Sequence, residues 1–143
     1  MNNRIKGDSE ILYIYDTDAY KPLACLTSNG LSETVNVIES VTKCNPGETI
    51  KAAGTHSYEI SFEGEYIETE AGKLSWVELK TLLRAKLEQT WRITTTYADT
   101  STDQEYGKGV FTDLEKTGAA GDEFMTFSGT LQGSGTIVQV DPI

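Results

Sequence analysis

The stretch HSYEISFEGEYI, residues 56–67, constrains the fold more than any other part of the chain. Its even positions carry Tyr58, Ile60, Phe62 and Tyr66, and its odd positions carry Ser57, Glu59, Ser61, Glu63 and Glu65. A period of two sends the first set to one face of a strand and the acids to the other. Such alternation is the pattern of a half-buried strand. Other strand-like runs accompany it. ILYIY (11–15) is nearly all apolar and reads as a buried strand. PLACL (22–26) is a second short run, and SETVNVIE (32–39) alternates around Val35 and Val37. TWRITTTYA (90–98) puts Trp91, Ile93 and Tyr97 on one side, and YGKGVFTDLE (106–115) is a weaker strand with two glycines. EFMTFSGTLQG (123–133) and TIVQV (136–140) read as a hairpin turning at Gly133, Ser134 and Gly135. Short turn signals at SNG, NPGE, EAGK, TGAAGDE and QGSG separate the runs, as in a mostly antiparallel β domain.

One helix interrupts this pattern. Ser75 is followed three residues later by Glu78, a capping box that satisfies two free backbone donors. Leu74 and Leu79 can close a hydrophobic staple around it. Trp76, Leu79, Leu83 and Leu87 recur at helical spacing, so the helix is expected over about 76–88 with one stripe on the core. The polar stretch 40–54 is expected as a long loop, and ordered loops of that length tend to have a task. The expected class is mainly β, two packed sheets or a barrel, with one flanking helix.

At 143 residues the chain fits a single domain, 1–143, with one core. The formal net charge is -10, which disfavours ordinary nucleic-acid binding but suits a surface that DNA passes without sticking. No run of about eighteen apolar residues is present, so no membrane span is expected. MNNRIKGDSE lacks an apolar core, so no secretory signal is expected either. A leaderless chain stays in a reducing compartment, and Cys25 and Cys44 are expected as two free thiols.

Chemistry is sparse. His56 is the only histidine, which rules out a histidine triad or a multi-histidine metal site, and it is expected at a strand end. Cys25 lies in an apolar run, as a small core residue would; Cys44 has only Lys43 as a local activator. Asp16 with Asp18, and Asp99 with Asp103, read as turn caps, because the other ligand positions of a calcium loop are missing. QGSGT lacks the lysine and the helix of a phosphate loop. Glu59, Glu63 and Glu65 fall in a row on one strand face, pointing the same way, where a solvated face explains them better than a catalytic carboxylate pair. No enzyme activity, cofactor or metal is expected.

GDSEILYIYDTDAYKPLACLTSNGLSETVNVIES, a loop, and then GTHSYEISFEGEYI resemble the N-terminal part of the major tail proteins of long-tailed bacteriophages, the tail tube subunits. The helix opening LSWVELKTLL and the ending FSGTLQGSGTI are similar to that family's single helix and C-terminal hairpin. The resemblance spans about residues 8–140. Residues 1–8 are left as a flexible N-terminus, and 99–121 departs most, as an insertion or an exposed loop.

This resemblance implies a β-sandwich or barrel-like tail tube fold with a flanking helix. It also implies a structural virion protein that self-assembles into stacked, hexameric rings around a channel for DNA ejection. Its partners would be further copies of itself, the tape-measure protein, and the tail-tip and tail-terminator proteins. DNA would pass without specific binding, and assembly would take place in the host cytoplasm. Glu59, Glu63 and Glu65 would face the lumen. The loop with Lys43, Cys44, Asn45, Glu48 and Lys51 would reach the neighbouring ring. Two alternatives stay open. A tail terminator or the inner tube of an injection apparatus would share the fold. A small-molecule-binding β-barrel would line its pocket with Tyr13, Tyr15, Trp91 and Tyr97.

Overall fold

The computed structural model of the protein describes residues 4–16, 18–24, 26–40, 47–68, 71–118, 120–121 and 123–143. A 3-10 turn, Gly7–Ser9, leads into β1, Glu10–Asp16, which pairs with the short β2, Ala19–Pro22. Two long strands follow, β3 (Leu26–Ser40) and β4 (Ile50–Glu65), then the helix α1 (Trp76–Ala85). β5 (Gln89–Thr96), β6 (Thr102–Thr117) and β7 (Thr126–Val138) complete the chain. Among the described residues the strands form one antiparallel sheet in the order β2-β1-β5-β6-β7-β4-β3. The expectation of a mainly β chain with one helix is met, with one continuous sheet in place of two separate ones.

That sheet curls on itself. β5 and β4 stand three ladder steps apart, roughly 14 Å if the sheet were flat. Yet the Trp91 indole N–H donates to the Tyr58 hydroxyl at 3.2 Å, with the ring centroids 5.6 Å apart. β1 and β3 stand five steps apart, and the Asn29 amide still donates to Glu10 Oε1 at 3.2 Å. The concave side holds the core: Leu12, Ile14, Ile60, Trp91 and Leu131 are fully buried, with Tyr58, Phe62, Ile93, Phe111 and Phe127 beside them. This explains the alternation in 56–67. Tyr58, Ile60 and Phe62 point into the curl, and Glu59, Ser61, Glu63 and Glu65 point out.

The helix caps one end of the curl. The capping box forms, with the Ser75 N–H donating to Glu78 Oε2 at 3.1 Å, and Leu74 and Leu79 are both buried. Burial pushes the Glu78 carboxyl up, but the Ser75 bonds and the charge of Lys21 outweigh it and hold it low. The helix ends earlier than the periodicity predicts. Lys86 takes a left-handed conformation, φ 58°, and its N–H closes on the Leu83 carbonyl. Leu87 therefore falls outside the helix and is exposed, while Leu83 is partly buried. Leu74 also reaches β2's end through a parallel bridge to Leu23.

Four other expectations change. The hairpin expected at Gly133–Gly135 is not a turn, because β7 runs through it. Gly135 takes φ +80° in a bulge where Tyr106 opposes Val138 and Lys108 opposes Ser134. The region 99–121, expected as an insertion or loop, is mostly β6, a full partner of β5 and β7. The expected loop 40–54 is shorter: Ser40 pairs with Ile50 and Ile38 with Ala52, so both ends of that stretch are strand. His56 lies within β4 and contacts Glu33 Oε1 at 3.1 Å, so it is not a strand-end residue. Cys25, Lys43, Cys44 and Asn45 lie outside the described residues.

Candidate functional site: the acidic sheet face and the hairpin arm

Directly opposed residues in antiparallel strands share a face, so the ladder registers assemble the convex surface row by row. One row runs Ser28, Glu63, Ser128 and Glu115 across β3, β4, β7 and β6. The next runs Gly30, Ser61, Thr130 and Asp113. Glu59 continues the face beside Gln132, whose amide donates to it at 3.0 Å, and Glu65 pairs with Thr126. The structure thus brings Glu59, Glu63 and Glu65 together on one exposed face, and adds Asp113 and Glu115 from β6. Sequence reasoning missed those two because a bulge between Phe111 and Asp113 resets which side chains face outward. A groove of about 360 Å³ crosses this face, bordered by Ser28, Gly30, Ser61, Glu63, Asp113 and Ser128. Its polar side chains are mostly hydroxyls and carboxylates, groups that hold water and repel phosphate.

Around this face lie two free strand edges. β3 pairs on one side only, with β4. β6 pairs with β5 up to Gly109, and beyond that with β7 alone. Among the described residues the block β6-β7-β4-β3 therefore ends in a free edge along β3 on one side and along β6 beyond Gly109 on the other. Free edges attract other strands, and proteins either cover them or use them.

The second feature is an arm. β4 pairs with β7 only from Glu59 to Glu65, while its pairing with β3 continues to Ile50. At about 3.3 Å per residue, Ile50–Ser57 carries a two-stranded ribbon roughly 26 Å past the four-stranded block. The even positions of β4 are buried from Tyr58 to Gly64, half-buried at Gly54 and His56, and exposed at Ile50 and Ala52. Val35 and Ile38 lie on this same face of the arm, also exposed. The face that makes the core in the body thus runs on without a cover. Lys51 pairs with Glu39 at 3.6 Å on the other face, and Glu48 lies in the turn region and is exposed.

The pocket reading finds less support. A cleft of about 640 Å³ opens at the seam between β1 and β3, bounded by Ile11, Tyr13, Leu23, Leu26 and Lys73. Of the four aromatic residues expected to line a pocket, only Tyr13 borders it. Trp91 is in the core, and Tyr97 is exposed beyond β5. Tyr13 instead stacks under the Arg92 guanidinium at 4.1 Å, with Tyr20 at 4.8 Å. Tyr20 donates to Asp141 at 2.8 Å, and burial and that carboxylate raise its phenol. This cluster binds the segment after β7 to β2. Asp99 accepts from the Ser101 N–H at 3.1 Å, the turn cap expected of it. Among the described residues, no group of three metal-ligating side chains comes together, and no helix is long and apolar enough to cross a membrane.

Neither protein-family profiles nor curated sequences match this chain. Solved structures do. The SPP1 tail tube aligns with TM-score 0.72 over 92% of this chain and 77% of its own, at 12% identity. The tail of a gene transfer agent particle, solved with C6 helical symmetry, aligns at 0.71 over 95% and 98%, at 13% identity. The sheath–tube complex of an extracellular contractile injection system, PVC, aligns at 0.67 over 96% and 93%, at 14% identity. The chain has the fold shared by the tail tubes of phages, gene transfer agents and contractile injection systems.

Proposed function

We propose that this chain is a tail tube subunit, a structural virion protein without enzymatic activity. The observation that carries the reading is the four-stranded block β6-β7-β4-β3, which has two free edges and one acidic face. Its two edge strands run antiparallel to each other. Rotated copies can therefore join β3 of one to β6 of the next in the sense the sheet already uses. Such a head-to-tail interface closes into a ring when the rotation closes, and the joined blocks then have no free edge. The C6 symmetry of the similar gene transfer agent tail supports six copies.

In that ring the face of Glu59, Glu63, Glu65, Asp113 and Glu115 lines the lumen, and DNA slides past it without specific contacts. The arm, with Glu48 and Lys51 and the stretch around Lys43, Cys44 and Asn45, reaches the next ring. Partners are further copies, a tape-measure protein, and tail-tip and terminator proteins. The protein resides in the virion tail after assembly in the host cytoplasm. The inner tube of an injection apparatus is the second reading, favoured by the PVC likeness.

The test is negative-stain electron microscopy of the purified chain over a concentration series, alone and with tail-tip proteins. Rings or tubes with a central hole support the reading. Monomers under every condition refute it.

A further inference from the structure

The arm's apolar face needs something to rest on. Val35, Ile38 and Ile50 are 47%, 59% and 48% exposed on a ribbon of two strands, and an isolated two-stranded ribbon is marginal in water. At the opposite end of the same block, beyond the start of β7, lies a second apolar cluster. Phe124 is 81% exposed, the highest of the large hydrophobic residues among those described, and Met125 is 40% exposed. Met125 is held in place, because its carbonyl accepts the Tyr66 N–H at 2.8 Å. Glu123 beside it is exposed.

These two clusters cannot meet within one chain. Along β4, Ala52 beside Ile38 and Tyr66 beside Met125 are separated by roughly 46 Å. Two unlike, uncovered apolar patches at opposite ends of one subunit are the condition for an open head-to-tail stack. We infer that the arm of one subunit seats Val35, Ile38 and Ile50 on Phe124 and Met125 of a subunit in the next ring, so that this pair of patches sets the stacking contact. The occupant is a second copy of this chain. The inference rests on the tube reading and names the receiving surface that the reading leaves open.

The polarity of the stack follows. Each ring offers arms at one end and Phe124 seats at the other, so a tube ends in one row of unfilled arms and one row of unfilled seats. Val140 and Ile143, an exposed apolar pair near β7's far end, lie on the side of the block from which the arm leaves.

The test compares Phe124→Asp and Ile38→Asp with Val140→Asp in tube assembly, followed by pelleting and electron microscopy. All three residues are exposed, so circular dichroism and melting should match the parent chain. The first two variants should raise the concentration needed for tubes at least about tenfold, the equivalent of one lost contact of about 1.4 kcal/mol. Val140→Asp should assemble as the parent does. A second measurement places cysteines at Ile38 and Phe124 in a Cys25→Ser, Cys44→Ser background. A short bismaleimide should then give a ladder of linked dimers and higher multimers in tubes and none in monomer. Normal tubes from Phe124→Asp, or linking of Ile38→Cys to Val140→Cys in place of Phe124→Cys, overturns the seat while leaving the tube intact. Absence of tubes from the parent chain under every condition overturns the tube reading itself.

Discussion

Gly133 lies against the ring of Tyr58, where a Cβ at position 133 would stand 2.3 Å from the nearest of the ring's carbons. This contact lets β7 cross the curl at the point where β4 leaves it for the arm. An alanine there must push back a buried aromatic whose hydroxyl is already fixed. Overpacking of this kind costs about 1–3 kcal/mol. Gly133→Ala should lower the urea midpoint by a corresponding amount, and an unchanged midpoint would mean that Tyr58 moves freely.

Tyr58 ties three strands through one oxygen. It donates to the Lys108 carbonyl at 2.7 Å and accepts from the Trp91 indole at 3.2 Å. Burial raises its phenol, so it stays neutral and keeps both bonds. Tyr58→Phe leaves a buried indole N–H without its acceptor, at a cost of about 1–3 kcal/mol. Chemical denaturation should show that loss, and Trp91 fluorescence should change in the folded state.

The helix start offers a cleaner measurement. Ser75 donates twice to Glu78 Oε2, from its N–H at 3.1 Å and from its hydroxyl at 2.5 Å. Ser75→Ala should cost about 1 kcal/mol. A double-mutant cycle with Glu78→Ala should return a non-zero coupling, since the two residues share one pair of bonds. Strict additivity would argue against the box.

The box and its staple could be read from the sequence because their partners lie within five positions of one another. The alternation of Tyr58, Ile60 and Phe62 with Glu59 and Glu63 was equally legible, since period two depends on nothing distant. What could not be read depends on partners far along the chain. Gly133 and Gly135 look like a hairpin turn until Tyr58 explains the first and the bulge opposite Tyr106 explains the second. Asp113 and Glu115 join the acidic face only because of a bulge and a register set by β7. Ser40 and Ile50 looked like loop because their pairing is set across the stretch that separates them, and the apolar residues of the ribbon there are too sparse to mark a strand.

Glu105 faces inward at the open end of the curl. Burial raises its carboxyl first, and the nearby charges of Asp103, Glu33 and Glu10 raise it further. His56 lies against Glu33, and Asn29 donates to Glu10. A raised folded pKa means that the folded chain holds more protons than the unfolded one between the two values. Stability is then greatest below the ordinary glutamate range and falls as pH rises through the folded pKa. Glu105→Gln should stabilise the protein at neutral pH, and the gain should vanish as the pH falls below the ordinary glutamate value. Melting temperatures across that range decide it, and a gain that persists in acid would assign the effect to packing.

The acidic face carries the most direct functional prediction. Glu63 and Glu115 lie in one row with Ser28 and Ser128, exposed and away from the core, so changing their charge should leave folding intact. In a ring every such position is repeated around the lumen, and each added lysine becomes a band of positive charge facing DNA. Neutralised phosphates release counterions, so binding would be strong at low salt and fall steeply as salt rises. Glu63→Lys with Glu115→Lys should convert tubes that do not retain short duplex DNA into tubes that do, with retention lost at high salt. Equivalent reversal on the arm's outer pair, Glu39→Lys with Lys51→Glu, keeps the net charge and should not. If the first pair also fails to retain DNA while forming normal tubes, that face does not line the channel.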